Sequence, residues 1–416
     1  MLEIIKAIVW AVATVFIIVF GIYFSIKLSF PQFNLKKTTQ SLKSDRKSLK
    51  TLYLTLGGRI GVGSIAGVAL AIYIGGPGTI FWMWVLAFVS GSLSYSETLL
   101  GIKYKTNYGG PSYYIKKYSK KLAILYSIVV VISYLLGFIP IQANTIARSL
   151  NMVININNIF IGIILFLLIF VIVKGGINKI MRVTNIIVPF MVFLYVLISF
   201  IIVIINFDKF IIVIKLIIVS AFKFKSFFSG FLSTVIIGIQ RGIFSNEAGL
   251  GLGSIAASSY DFSNGCISGY IQTLGIYITT LLICTSTAFI ILIFNYQSIV
   301  LENINGIEIT FLAFKYHFGN IGTTVLITSI LLFSFTTILT GYYYCESSIK
   351  YLYKKFNLKF LKLIVPCSVL LGAITSPTVI WKYIDIFVGT LSIINIYALY
   401  KMRKEIIDYH KKYDRI

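Results

Sequence analysis

Gly242-Ile243-Phe244-Ser245-Asn246-Glu247-Ala248-Gly249-Leu250-Gly251-Leu252-Gly253 breaks an otherwise apolar segment with glycine, serine, asparagine and a carboxylate. An earlier segment carries a run of the same character, Gly57-Gly58-Arg59-Ile60-Gly61-Val62-Gly63-Ser64-Ile65-Ala66-Gly67. Glycine tolerates unwound backbone. At bilayer depth, such backbone survives only where protein covers it or where it lines a cavity. Two readings follow. Either the glycines let helices pack closely, as small residues do between membrane helices, or both runs are helix breaks that build a binding site. Their matching places in the chain, each beside polar residues, favour the second.

Composition points to the bilayer. Of 416 residues, 58% are hydrophobic and 12% charged, and the mean hydropathy is +0.91. Soluble domains are about half apolar and about a quarter charged, so lipid is the expected solvent. The formal charge of +24 comes from lysines and arginines grouped between apolar stretches. No basic-aromatic interleaving accompanies them, so topology explains the charge and a nucleic-acid partner is excluded. Cys266, Cys284, Cys345 and Cys367 show no metal-ligand spacing, and His317 and His410 fall in polar segments. No cofactor is expected.

Residues 7–28 read as a permanent lead helix, lacking the short apolar core and cleavage site of a removable signal. Further apolar spans are expected at 52–74, 78–102, 122–147, 158–173, 184–206, 229–258, 268–294, 321–345, 360–375 and 380–400, roughly eleven crossings in all. The stretch 209–222, punctuated or flanked by Lys209, Lys215, Lys223 and Lys225, reads as an interfacial helix. Basic groups at Lys36–Lys50, Lys103–Lys121, Lys174–Arg182, Lys350–Lys362 and Lys401–Arg415 fall on one side and hold most of the 37 lysines and arginines. The opposite loops hold few, and one carries Glu302 and Glu308. The positive-inside rule then puts the N-terminus outside and the C-terminus in the cytoplasm of a multi-pass protein in the cell membrane.

The expected organisation is a lead helix and basic loop (1–50), a first repeat (51–206), an interfacial segment with a second repeat (207–400) and a basic tail (401–416). Each glycine run opens one repeat, and an odd number of helices per repeat inverts the second. Inverted-repeat transporters have this layout, with the first helix of each half broken at the midplane.

The same residues carry a resemblance. Gly61-Val62-Gly63-Ser64-Ile65-Ala66-Gly67-Val68-Ala69, Gly75-Gly76-Pro77-Gly78 with Phe81-Trp82-Met83-Trp84, and Gly110-Pro111-Ser112-Tyr113-Tyr114-Ile115 look like signatures of the alanine or glycine:cation symporter family. So do Arg241 through Gly251 and Phe335-Thr336-Thr337-Ile338-Leu339. The resemblance runs from about residue 50 to about residue 400. It implies an all-α integral membrane protein of the leucine-transporter type, a five-plus-five inverted repeat with one extra N-terminal helix. It also implies inward transport of alanine or glycine with sodium, or with protons in some members. This chain departs from the pattern at Gly61-Val62-Gly63-Ser64, usually Gly-Thr-Gly-Asn, and at Gly251-Leu252-Gly253-Ser254, usually Gly-Ser-Ala-Pro.

For an amino-acid substrate, free backbone N–H groups and the positive end of a half-helix near Gly63 suit the carboxylate. Gly61, Val62, Gly63 and Ser64 are therefore expected against substrate. Carbonyls freed around Phe244, Ser245 and Asn246 suit the ammonium, and the Phe244 ring either caps a small side chain or packs in the core. The fold resemblance pairs the carbonyls of Gly57 and Ile60 with the hydroxyls of Thr336 and Thr337 as hard-oxygen ligands for sodium, although a Thr-Thr pair also bonds its own helix. Arg59, Glu97, Arg241 and Glu247 are candidates for gating or structural ion pairs, because an unpaired charge within a span is costly. Arg241 and Glu247 align across an unwound turn. Glu97 is expected near the cytoplasmic helix end, facing water. Gln142 and Asn144 are expected to bond between helices. Intramembrane enzymes are excluded by the lack of a histidine within the expected spans and of any hydrolase motif. A non-transporting sensor on the same fold would need degraded sites or an added domain. The partners expected are a small neutral amino acid, sodium or a proton, and the lipid bilayer.

Overall fold

The computed structural model describes residues 2–44, 46–222, 229–260, 264–294 and 306–414. Lys223, Lys225, Glu302 and Arg415 lie outside the described residues. No strand occurs among the described residues, which are helical almost throughout. The helices are α1 (Leu2–Lys27), α2 (Leu35–Ser44), α3 (Arg46–Arg59), α4 (Gly63–Gly75), α5 (Gly78–Lys103), α6 (Pro111–Ile115) and α7 (Lys120–Asn151). Next come α8 (Asn158–Val173), α9 (Gly176–Ile205), α10 (Phe207–Ala221), α11 (Ser229–Asn246) and α12 (Leu252–Ala257). The remainder are α13 (Gly265–Ile293), α14 (Ile307–Leu352), α15 (Leu358–Ile374), α16 (Pro377–Lys401) and α17 (Arg403–Tyr413).

Seven of the described helices are long and apolar enough to cross a membrane, and the bent pair α3–α4 makes an eighth. All the expected spans coincide with a helix or an interrupted helix. Several fall short of a bilayer as straight rods, because α8 has 16 residues and α15 has 17, against the about 20 needed. The expected span 321–345 is part of a longer α14 that starts at Ile307 and kinks at Gly319 (φ 55°). His317, expected in a polar segment, thus sits in a helix.

Local sequence explains several boundaries. Ser119, Asn157, Asn264 and Asn357 each accept a hydrogen bond from a first-turn N–H, capping α7, α8, α13 and α15. Pro140 has no N–H to donate within α7, and the turn before it, Tyr134–Phe138, widens to a π-helix. Residues Gly63–Gly67 and Ile278–Cys284 are also π-helical. α1 packs on α16 and α5, α8 on α15, and α5 on α11 and α13. The interrupted helices end up at the centre, between α5, α7, α13 and α14.

Candidate substrate and ion site

Helix α3 stops at Arg59, and the chain resumes as α4 at an angle of 57°. The break falls on Ile60 and Gly61. In the second run, α11 ends at Asn246 and non-helical backbone spans 247–251 before α12 begins. Glu247 (φ 55°), Gly249 (φ 79°) and Gly251 (φ 89°) turn the chain there; the left-handed region suits glycine and strains glutamate.

The two breaks touch. Ser64 Oγ lies 2.8 Å from Ser245 Oγ, and Ser245 Oγ lies 3.1 Å from Cys284 Sγ. A Cβ on Gly63 would sit 2.9 Å from the Phe244 ring and 3.1 Å from the Phe244 carbonyl oxygen. A Cβ on Gly61 would sit 2.6 Å from Thr337 Oγ1. Close packing and a helix break are therefore both true of these glycines: only a missing side chain lets α11 and α14 approach the unwound turn.

Neighbouring helices satisfy the freed backbone groups. Val62 N–H donates to Gln142 Oε1 at 3.0 Å, and Thr287 Oγ1 donates to the Ser64 carbonyl at 2.8 Å. In the second break, Gly251 N–H donates to Glu97 Oε2 at 3.0 Å, and Asn395 Nδ2 donates to both Glu97 Oε2 and the Gly249 carbonyl. Tyr126 donates to the Leu250 carbonyl at 2.7 Å. Asn246 holds its own turn by accepting from Ala248 N–H and donating to Thr280 Oγ1.

Thr337 Oγ1 donates toward the carbonyls of Gly57 (3.0 Å) and Ile60 (3.4 Å), and toward Phe333 O of its own helix (3.0 Å). Hard oxygens from α3, the break after it and α14 thus gather about the Thr337 hydroxyl, a donor set that suits a hard cation such as sodium. Thr336 does not join it. Its hydroxyl turns to Leu332 O, Phe333 O and Met191 Sδ, the helix-bonding habit of a buried threonine.

An aromatic stack closes the other side. Phe244 lies nearly parallel to Phe138 (centroids 5.2 Å apart, 12°) and 4.9 Å from Trp381, which covers the Arg241 guanidinium. Trp381 also lines a cavity of about 80 Å³ with Ala66, Asn144, Arg148 and Ile307, and Arg148 pairs with Glu308 beside it.

A family profile described as the sodium:alanine symporter family matches residues 1–416. The chain belongs to that family. It is 34% identical over 407 residues to the amino-acid carrier protein AlsT of Bacillus subtilis, covering 94% of this chain and 87% of that protein. It is 32% identical over 420 residues (96% and 87%) to a B. subtilis protein named "Probable sodium/glutamine symporter GlnT". To the sodium/alanine symporter AgcS of Methanococcus maripaludis it is 28% identical over 420 residues (95% and 92%).

As a multi-pass membrane transporter of the sodium:alanine symporter family, the chain brings most of its expected site residues together. Gly57, Ile60, Gly61, Val62, Gly63 and Ser64 meet Phe244, Ser245 and Thr337. The charges arrange themselves differently from expectation. Arg241 pairs with Asp385 (2.9 Å), both almost fully buried, and not with Glu247. The Glu247 carboxylate instead accepts from Tyr134 (2.7 Å) and Tyr344 (3.5 Å), because the turn at 247–251 points it toward α7 and α14. Glu97, expected to face water, is fully buried; helices α12 and α16 cover the end of α5. Arg59 is buried and donates to Gln272 O and Ser94 Oγ. Asn144 bonds between helices as expected, to Gly372 O and Thr375 O.

Residues that sequence reasoning passed over include Asp385, Asn395, Trp381, Thr287 and Cys284, each brought in from a distant segment. A signal existed for Asp385 and Asn395, polar residues within an expected span. At the lysine-rich end, Cys266, His410 and Asp414 also come together, with their ligand atoms within 4.8 Å of one another, despite their wide spacing in sequence. Asp414 is held there by Lys37 (2.7 Å) and Tyr270 (2.9 Å).

Proposed function

We propose that this protein imports a small neutral amino acid, alanine or glycine, together with sodium, by alternating access. The observation that carries the reading is the meeting of two helix breaks at Ser64 and Ser245, 2.8 Å apart, beside converging oxygens at Thr337. A buried crossing of broken helices gives one place where backbone dipoles face a zwitterion and an ion together. The relative named a sodium/alanine symporter supports the choice of substrate and ion.

In this reading the start of α4 receives the substrate carboxylate, the carbonyls near Phe244 and Ser245 receive the ammonium, and the Phe244 ring bounds the side-chain space. Sodium is carried at the carbonyls of Gly57 and Ile60 with the Thr337 hydroxyl, which must rotate its proton away from them to present a lone pair. The first repeat (51–206) and second (207–400) then form a five-plus-five inverted pair behind the lead helix, with eleven crossings, N-terminus outside and C-terminus in the cytoplasm. Trp381 over Phe244, with the Arg148–Glu308 pair, serves as the outer gate.

Val62 and Ser64 bear on substrate identity. Valine removes a hydroxyl, and the Ser64 hydroxyl is engaged by Ser245, so this site offers fewer free polar groups than a threonine-asparagine pair. That favours a small, apolar side chain. The test is uptake of labelled alanine and glycine into proteoliposomes under an inward sodium gradient. Accumulation that collapses without the gradient supports symport; equal uptake with and without sodium but driven by an acid-outside pH gradient would move the coupling to protons.

A further inference from the structure

At the lysine-rich end of the molecule, a cavity of about 920 Å³ opens between the loop after α5, the helix α6, the first turn of α7 and the last turn of α14. Lys116, Lys117, Lys120, Lys350 and Lys354 all line it, and no carboxylate among the described residues does. Like charges gathered on one concave surface repel each other unless an anion joins them. Lys350 is already used: its ammonium donates to Lys354 O and Phe356 O at 3.0 Å each, pinning the loop after α14. Lys116, Lys120 and Lys354 are exposed and have no carboxylate within salt-bridge distance among the described residues. The hydroxyls of Tyr108 and Tyr104 on the same wall donate to Glu346 and Glu405, and Glu405 also pairs with Lys103, which does not line the cavity.

An exposed apolar surface runs away from the cavity. The cavity wall includes Ile124, and from there Leu125, Ile128 and Ile132 continue an exposed apolar stripe along α7. Exposed Leu352 and Tyr353 border the other side. Apolar side chains facing outward beside a ring of ammonium groups match the boundary between acyl chains and phosphates. We infer that this pocket binds a phosphate-bearing anion, supplied by the headgroup of an anionic phospholipid or by free inorganic phosphate. The bound anion ties α6 and α7 to the end of α14, the helix that carries Thr337. This inference stands apart from the transport reading and does not need it.

The experiment uses the full chain, purified in neutral detergent. Lipid retention is read by native mass spectrometry after addition of phosphatidylglycerol or phosphatidylcholine, and phosphate binding by titration with labelled inorganic phosphate. Three forms are compared: the unmodified protein, a pocket variant (Lys116→Gln, Lys120→Gln and Lys354→Gln), and a control variant that removes equal charge elsewhere at the same end (Lys43→Gln, Lys404→Gln and Lys411→Gln). All replaced lysines are exposed, and a pocket variant with arginines should restore binding if charge is what matters. The expected result is preferential retention of phosphatidylglycerol, falling at least about tenfold in the pocket variant only, equivalent to about 1.4 kcal/mol. Saturable phosphate binding lost in the same variant, without lipid preference, assigns the pocket to the free anion. Equal loss in pocket and control variants, or no loss in either, overturns the inference.

Discussion

Ser64 Oγ and Ser245 Oγ share a 2.8 Å hydrogen bond that joins the break in the first half of the chain to the break in the second. Ser245 also contacts Cys284 Sγ, and the Ser64 carbonyl accepts from Thr287. The bond therefore sits in a buried network spanning α4, α11 and α13. Removing one hydroxyl strands the other, so Ser64→Ala and Ser245→Ala should each weaken substrate binding about fivefold, the value of about 1 kcal/mol for a neutral hydrogen bond. The double variant should be little worse than either single one, because both remove the same interaction. A binding cycle on the four proteins checks this; strictly additive losses would mean that the two hydroxyls act independently.

The Arg241–Asp385 pair carries a structural charge. Both side chains are nearly fully buried at 2.9 Å, with Trp381 across the guanidinium. Breaking a buried pair by removing one partner costs about 3–5 kcal/mol, because the remaining charge has no water. Asp385→Asn should lower the thermal unfolding temperature in detergent markedly, and adding Arg241→Gln should recover much of it. A double variant no more stable than the single one would contradict this account of the pair.

Topology can be read with cysteines at exposed positions. Asn107 and Tyr413 are exposed. In a background without Cys266, Cys284, Cys345 and Cys367, cysteines at Asn107 and Tyr413 should resist impermeant thiol reagents in intact cells. They should label once the membrane is opened. Rapid labelling of either in sealed cells reverses the orientation.

Acid should loosen the docking of the tail helix α17. His410 is buried there, 3.0 Å from the Tyr95 hydroxyl and 3.5 Å from Asp414 Oδ2, with Lys37, Tyr270 and Cys266 around the same group. Burial holds its pKa below the ordinary value of 6.5; Asp414 works against that, and Lys37 adds to it. The released tail therefore takes up a proton more readily than the docked one. Docking is at full strength above about pH 6.5 and weakens as the pH falls below that value toward the lower docked-state pKa. Hydrogen exchange of residues 403–413, corrected for intrinsic rates, should rise between about pH 7.5 and about pH 5.5. In His410→Asn the rise should vanish; an unchanged profile in that variant assigns the transition to another group.

How much of this was legible in sequence depended on distance along the chain. The glycine runs marked both breaks, since Gly249 and Gly251 take positive φ and Gly61 and Gly63 leave room for Thr337 and Phe244. The resemblance names both Thr336 and Thr337, but which of two adjacent threonines turns its hydroxyl to the first break depends on helix rotation. Thr336 points to Met191 instead. Partners of buried charges were not legible: nothing near Arg241 names Asp385, 144 positions away, and Glu97 looked exposed until α12 and α16 were seen to cover it. The kink at Gly319 was missed because one glycine in a polar stretch carries no period.

Sodium coupling through Thr337 is the central claim, and a sodium titration of alanine uptake in proteoliposomes tests it most directly. Valine keeps the branched shape of threonine while removing the hydroxyl, so Thr337→Val deletes a ligand of the proposed ion site. Its half-saturating sodium concentration should rise about tenfold, or about 1.4 kcal/mol, with uptake recovering near saturation because substrate and ion favour the same state. Thr336→Val should stay within about twofold, its hydroxyl being bonded to its own helix. A sodium dependence unchanged in Thr337→Val, or uptake by the unmodified protein that ignores sodium altogether, would contradict the account.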